Sequence, residues 1–450
     1  MAGRSIAVIG MLRSGKTTMI TSLINHWLEY DPNRMQLSKD REIICKWKDE
    51  HSEGSRAYQK ARQRLIEGRW PNKTLKPMSY HLQLRLNNEI FSRSISLHDI
   101  PGERLADVAM IDCKDLSQWS RHIVHVFETD SSTREAFAKF SKLFSEKRQV
   151  TEQQLWLEEL EQAYREFLAK LIVAEHPLIT PSSMLIDKDG NFVPVEFRKD
   201  VELLIKWLEE SASLGCGDIK IFPIPEALLA TAVGKKMKWG FKEYVQKVVL
   251  PSLAPLAASE DVIVLTDVAA ILENGPTWKN TVLHLYKLIA KIVDPGGFTR
   301  RTLQRSWKWI SLLSTLGYYA PKATNRIFVV ASQADRVHKD DQDRLLKLVT
   351  ELSRKSFRVL KEDSAVTIVP LTVAAVHSTK SESGHVIQYL RKKDETVEEV
   401  AVNVPKLPEE FGDSWKKGEY CFPVCLPRMP AILSNPPKQF GLQLLTEKIL

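Results

Sequence analysis

Cysteine is scarce in this chain: five residues in 450, at Cys45, Cys113, Cys216, Cys421 and Cys425. An odd, sparse set excludes a disulfide framework and predicts reduced thiols in a cytosolic setting. Cys421 and Cys425 form a C-x₃-C pair, but no second Cys/His pair lies nearby to complete a tetrahedral zinc site, so both read as structural thiols. No run of 18 or more apolar residues occurs, which excludes a helix that spans a membrane. The apolar stretch Ile6 to Ile9 is too short for the core of a secretory leader. Internal repeats and low-complexity tracts are also missing. These absences predict a soluble, cytoplasmic protein.

What is present is ordinary in bulk. The apolar fraction is 43% and the charged fraction 27%, enough to bury a sizeable core and to exclude global disorder. Two or three domains fit this length, at about 100–200 residues each. The net charge of +8 is a mild excess over so long a chain. It permits acidic lipid, nucleic acid or an acidic partner without demanding any of them.

The N-terminal region carries the strongest signal. Ser5 to Ile9 has strand composition, and Gly10-Met11-Leu12-Arg13-Ser14-Gly15-Lys16-Thr17 matches G-x-x-x-x-G-K-[ST] at every fixed position. Met19, Ile20, Leu23, Ile24, Trp27 and Leu28 follow at helical spacing. Strand, glycine loop and amphipathic helix together predict a phosphate cradle. Backbone N–H groups wrap the anion, Gly10 and Gly15 allow close approach, and the helix N-terminus points its positive end at the charge. Lys16 is expected to reach the β and γ phosphates of a nucleoside triphosphate, and the Thr17 hydroxyl to ligate Mg²⁺. Arg13, Ser14 and Thr18 complete the expected phosphate-binding set.

Downstream segments refine the chemistry. Phe91 to His98 reads as a strand ending in Asp99-Ile100-Pro101-Gly102-Glu103-Arg104. Asp99 is placed to hold Mg²⁺ through water, and the Gly102 N–H to sense the γ-phosphate. Trp70-Pro71-Asn72-Lys73-Thr74 precedes a strand at about Ser79 to Leu86, so Thr74 is a candidate to close onto the metal. Arg326 to Ala331 is a β-rich run that empties into Ser332-Gln333-Ala334-Asp335. A carboxylate there accepts two bonds from guanine that adenine cannot supply. A second run, Ala365 to Leu371, ends in Thr372-Val373-Ala374-Ala375, similar to a loop whose backbone N–H meets the guanine oxygen. Base-binding candidates are therefore Gln333, Asp335, Thr372, Val373 and Ala374. Gln333 stands where [NT]-K-x-D has Lys, which removes a stem and charge over the base. Guanine is favoured, with adenine or promiscuous binding left as the alternative.

The order of these segments resembles the bacterial YcjX-like GTPases. The resemblance extends to Thr180-Pro181-Ser182, Val262 to Val268, Leu272 to Pro276, Ser332 to His338, and Thr372 to Val376, and so over nearly the whole chain. It implies an α/β fold, a Ras-like P-loop GTPase domain with an inserted α-helical domain, and association with a bacterial stress response. Peripheral attachment to the inner membrane stays open. The family has Thr-Lys-Ala-Asp where this chain has Ser-Gln-Ala-Asp, and Trp where it has Arg104.

The strand order predicts a split nucleotide domain: 1–112 as its first part, 113–240 as the helical insertion, 241–380 as its second part, and 381–450 as an extension. Val262 to Val268 is the expected central strand between the parts. Helical patterns run over Glu152 to Val173 and Val201 to Leu214; His122 to Phe127 has strand-like composition inside that helical block. Asp31 to Arg69 reads as a polar insertion with one helix at about Ser55 to Glu67. Beyond Ser378, one short strand (Val386 to Arg391) and a proline-rich stretch predict an ordered but irregular tail.

Hydrolysis requires an oriented water and positive charge on the developing phosphate charge. Glu103 stands where small GTPases carry the water-orienting Gln, and its charge needs compensation. Arg13, Arg69 and Arg104 are the candidates. Turnover on the order of 10⁻⁴–10⁻² s⁻¹ is expected. Two basic aromatic stretches, Gly234 to Lys242 and Arg300 to Trp309, read either as solvated faces or as docking sites for acidic lipid; nucleic acid is disfavoured. Two functions follow: a GTP-hydrolysing switch read by an unidentified protein effector, or a non-catalytic scaffold that holds nucleotide to stay folded and docks on a membrane or protein.

Overall fold

The computed structural model describes residues 3–11, 14–38, 41–72, 77–130, 132–149, 152–174, 176, 182–187, 193–210, 220–293, 324–358, 360, 366–393, 396–412, 414–428 and 436–450. The chain divides into two compact units, Met1–Pro101 with Ala254–Leu450, and Gly102–Leu253.

The first unit is mixed α/β. Its sheet has seven strands, β1 (Arg4–Gly10), β2 (Ile43–Trp47), β3 (Met78–Leu86), β4 (Arg93–Asp99), β5 (Asp261–Thr266), β6 (Arg326–Ala331) and β7 (Thr367–Thr372), in the order β2-β3-β4-β1-β5-β6-β7. The five strands from β4 to β7 run parallel; β2–β3 and β3–β4 are antiparallel. Composition explains the arrangement. Ile6 to Ile9, Val262 to Leu265 and Ile327 to Ala331 are fully buried, as continuous apolar runs are when a parallel sheet is covered on both faces. β3 instead buries Tyr80, Leu82, Leu84 and Leu86 in alternation, as a strand with one core face does.

Helix α1 (Lys16–Leu28) follows β1 and buries Met19, Ile20, Leu23, Ile24 and Trp27 against the sheet. The Trp27 Nε1–H donates to Thr446 Oγ1 at 3.2 Å, which fastens α1 to a C-terminal helix, Leu442–Ile449. At the N-terminal ends of the parallel strands, the fully buried Asp261 carboxylate joins Arg4 (Nε, 2.7 Å) and Arg326 (Nε, 2.8 Å; Nη2, 3.0 Å).

Several sequence expectations need correction here. The polar insertion holds a strand as well as its helix α2 (Glu53–Ile66): β2 lies at the edge, where a strand needs only one hydrogen-bonded neighbour and a weak pattern suffices. The tail is also more regular than expected. β8 (Thr379–Ser381), β9 (Val386–Lys393) and β10 (Thr396–Asn403) form an antiparallel sheet in the order β10-β9-β8. β4 begins at Arg93, because Ile90 and Phe91 sit exposed at the turn that precedes it.

The second unit has helices and no strand among its described residues: α3 (Val108–Asp112), α4 (Leu116–Thr129), α5 (Arg134–Ser145), α6 (Gln153–Val173), α7 (Val201–Glu210) and α8 (Ala232–Tyr244). α9 (Leu250–Ala257) runs across the division, and α10 (Val268–Asn274) and α11 (Pro276–Val293) return to the first unit. His122 to Phe127 is helical, since Trp119, Ser120, Ile123, Val124 and Phe127 bury one face of α4 at helical period. Phe127 packs on Phe137 and Phe167 with ring centroids 5.4 and 4.7 Å apart. On α8, Lys235, Lys236 and Lys242 are exposed beside Trp239, which is 54% exposed. The stretch Arg300 to Trp309 and the segment Thr180-Pro181 lie outside the described residues.

Candidate functional site

The C-terminal ends of the parallel strands come into line through their register. Val8 pairs with Asp99, Gly10 with Leu265, Thr266 with Ala331, and Ala331 with Thr372. Each strand there hands over to a loop that carries polar residues, the edge at which open parallel sheets bind ligands.

The loop after β1 is built around two glycines. A Cβ on Gly10 would lie 2.5 Å from Ser14 Oγ and 2.9 Å from both Leu265 Cβ and its carbonyl oxygen. Only hydrogen fits between the loop and β5. Gly15 has φ +80°, the left-handed conformation that glycine adopts without penalty, and it starts α1. Ser14 is 1% exposed, its N–H donates to the Met11 carbonyl at 3.2 Å, and its Oγ has no hydrogen-bond partner among the described residues. The Lys16 ammonium folds back on the loop, donating to the carbonyls of Gly10 (3.0 Å) and Met11 (3.5 Å). Thr17 and Thr18 occupy the first turn of α1. Arg13 lies outside the described residues, and so does Thr74.

Asp99 ends β4 and is fully buried beside β1. The Ile100 N–H continues the ladder to the Val8 carbonyl at 3.1 Å. Gly102 and Glu103 open the second unit as part of a 3₁₀ turn, Gly102–Asp107. Arg104 is buried there and donates to the Tyr244 hydroxyl at 3.3 Å, which in turn donates to Asp107 at 3.0 Å. Arg69 is exposed and pairs with Glu67.

The loop after β6 lies against the loop after β1: a Cβ on Gly15 would be 3.9 Å from Gln333 Cγ. Gln333 has φ 55°, a left-handed backbone on a residue with a side chain. Its Nε2 donates to Asp267 Oδ2 at 2.8 Å. Asp267 also caps α10 through the Ala270 N–H (2.9 Å) and receives Arg336 Nη1 at 3.3 Å. Arg336 continues to Glu273 at 3.1 Å, and Glu273 accepts the Phe422 N–H at 2.9 Å. The two carboxylates hold the Arg336 guanidinium above its usual range, against the desolvation that lowers it. Gln333 is thereby clamped at one end of an ionic chain that sequence reasoning missed. Asp267 gave one readable signal, an Asp between a strand and a helix, where it serves as N-cap.

Two sets of base-binding candidates already carry hydrogen bonds within the fold. Asp335 Oδ2 already accepts the Ser378 N–H and hydroxyl, each at 2.6 Å, which leaves Oδ1 as the oxygen without a hydrogen bond among the described residues. The Val373 N–H donates to the Ala331 carbonyl and the Ala374 N–H to the Phe440 carbonyl, both at 2.9 Å. Neither donor is left for a base oxygen, because β7 and the C-terminal segment have taken them. The Thr372 carbonyl lies 2.1 Å from where a Cβ on Gly441 would stand, so it too is covered.

The description YcjX-like family, DUF463, belongs to a protein-family model that matches residues 5–442. The chain therefore belongs to the YcjX-like family. No curated protein matches it.

Proposed function

We propose that this chain binds a guanine nucleotide with Mg²⁺ and hydrolyses GTP slowly, as a Ras-like P-loop switch interrupted by a helical insertion. The observation that carries the reading is the loop that starts at Gly10: no room for a Cβ at Gly10, a buried Ser14 hydroxyl without a hydrogen-bond partner among the described residues, and an ammonium held over loop carbonyls. An orphaned buried hydroxyl costs about 1–3 kcal/mol, and an anion in the cradle would accept a hydrogen bond from it. Gly10, Ser14, Gly15, Lys16, Thr17 and Thr18 would hold the phosphates. Thr17 and Asp99 supply the hard oxygens that Mg²⁺ prefers. The metal would neutralise phosphate charge; the chain's own part is to bind and orient.

Base reading rests on Asp335 through Oδ1, with Gln333 beside it. One available oxygen discriminates less than two, so GTP is favoured over ATP by a modest factor. Gly102, Glu103, Arg13 and Thr74 enter the proposal on sequence grounds. The role in a bacterial stress response follows from the family resemblance, and a protein effector that reads the nucleotide state is expected.

A second reading has an observation of its own. Arg69 and Arg104, two of the three candidate compensating charges, are bonded to Glu67 and Tyr244. A scaffold that holds nucleotide without hydrolysing it fits that arrangement. Titration with labelled GDP, GTP and ATP in Mg²⁺, followed by phosphate release, separates the two. Slow release under excess GTP supports the switch, and binding without release supports the scaffold. No binding of any of the three sinks both.

A further inference from the structure

A cluster outside the phosphate loop has the composition of a metal site. His338 and Asp340 lie on the segment that follows Asp335, and His385 lies in the turn between β8 and β9. One ligand atom from each comes within 4.8 Å of the others. His338 Nδ1 is 3.4 Å from Asp340 Oδ2, and the imidazoles of His338 and His385 lie with centroids 4.6 Å apart and planes tilted by 33°.

The hydrogen bonds say which nitrogens have a lone pair to give. His338 is 1% exposed, and its Nε2 faces the Glu382 carbonyl at 2.7 Å. A carbonyl only accepts, so Nε2 carries the proton and Nδ1 is bare. A histidine that ligates a metal is held by that same outer bond. The Nδ1 contact with the Asp340 N–H is long, at 3.3 Å, and is the one bond an ion would displace. His385 Nδ1 is buried without a hydrogen-bond partner among the described residues. Its nearest carboxylate oxygen is Asp341 Oδ2 at 3.8 Å, and that oxygen already accepts the Leu407 N–H at 2.9 Å.

We propose that His338, Asp340 and His385 form a binding site for a divalent transition-metal ion, with Zn²⁺ the ion that fits best. Two imidazoles and a carboxylate suit Zn²⁺ and its neighbours in the series, whereas Mg²⁺ and Ca²⁺ select all-oxygen sets. Ligand atoms around tetrahedral Zn²⁺ stand about 3.3 Å apart at bond lengths near 2.0–2.1 Å. The His338–Asp340 pair has that spacing. His385 completes the set by a shift of the β8–β9 turn, and a water takes the fourth position. The ion would staple this turn to the segment that carries Asp335, where Lys339 N–H to Ser381 Oγ (3.2 Å) and Ser378 to Asp335 already join the two.

The test is a titration of the full chain with Co²⁺ alone, free of nucleotide and Mg²⁺, read by visible ligand-field absorption and by displacement with Zn²⁺. A single equivalent with tetrahedral-type bands is expected. His385→Asn keeps a residue that tolerates the left-handed backbone (φ 60°), and Asp340→Asn alters an exposed side chain, so both variants should fold; circular dichroism checks it. Each should weaken Co²⁺ by at least about tenfold, since loss of outer partners alone costs 10–100-fold. Absence of the bands, or an affinity unchanged in either folded variant, overturns the site. Neither result depends on whether the chain binds nucleotide.

Discussion

The two ends of the parallel strands solve opposite problems. At the N-terminal end, Arg4, Asp261 and Arg326 satisfy one another across β1, β5 and β6. At the C-terminal end, the Ser14 hydroxyl is buried with no partner among the described residues, as is the Ser332 Oγ atom, and Gly15 and Gln333 hold left-handed backbones. A polar group buried without a partner, or a left-handed φ on a residue with a side chain such as Gln333, persists only where the surroundings over-determine it, and such features gather at binding sites. One end closes the sheet. The other leaves donors for something the fold itself does not supply.

Substitutions should separate the ends. Asp261→Ala removes the acid that neutralises two guanidinium groups and should cost about 3–5 kcal/mol of stability by urea denaturation. It should leave nucleotide affinity of the folded fraction unchanged; a parallel loss of affinity would break the distinction. Gly10→Ala forces a methyl group against Ser14 and Leu265, so both properties should fall, with about 2–3 kcal/mol lost in stability. Lys16→Ala should do the reverse of Asp261→Ala. Binding weakens by about 2–3 kcal/mol, roughly 30- to 150-fold, measured by GDP titration, and stability changes by under about 1 kcal/mol.

Acid probes β4, one residue before Asp99. His98 bonds to Ser79 (2.8 Å) and Ser5 (3.1 Å), and burial lowers its pKa from 6.5 to about 4. The unfolded chain takes up a proton near 6.5 while the fold refuses it until about 4. Stability is therefore full above about pH 6.5 and declines as pH falls toward 4, by about 2 kcal/mol from this residue between pH 7 and 5. His98→Gln should flatten that slope in pH-dependent denaturation; an unaltered slope assigns it elsewhere. The smallest effect is expected at Asp335→Ala, about tenfold in the preference for GTP over ATP, because Ser378 already occupies one oxygen.

What could be read from sequence follows the range of the interactions. β1, the glycine loop and α1 are consecutive, so spacing alone carried them, and β6 matched its expected Arg326 to Ala331 span. β2 escaped because Ile43, Cys45 and Trp47 alternate too briefly within a polar stretch. β8 escaped because it is three residues long, and β10 and the C-terminal helix because prolines next to them read as irregular chain. The state of Asp335 depends on Ser378, 43 residues on, and that of Gln333 on Asp267, 66 residues back. No local pattern records such pairings. The motif predicts a carboxylate at Asp335, and its bonds to Ser378 belong to the tertiary structure.

Thermal unfolding of wild type, Asp261→Ala and Lys16→Ala, each with and without Mg²⁺ and GDP at about 100 times the wild-type dissociation constant, tests the contrast between the ends most directly. Ligand binding at that excess adds about 2.7 kcal/mol. The account predicts that wild type and Asp261→Ala, whatever their starting temperatures, rise by similar free energies while Lys16→Ala barely moves. An equal rise in Lys16→Ala, or no rise in wild type, contradicts it.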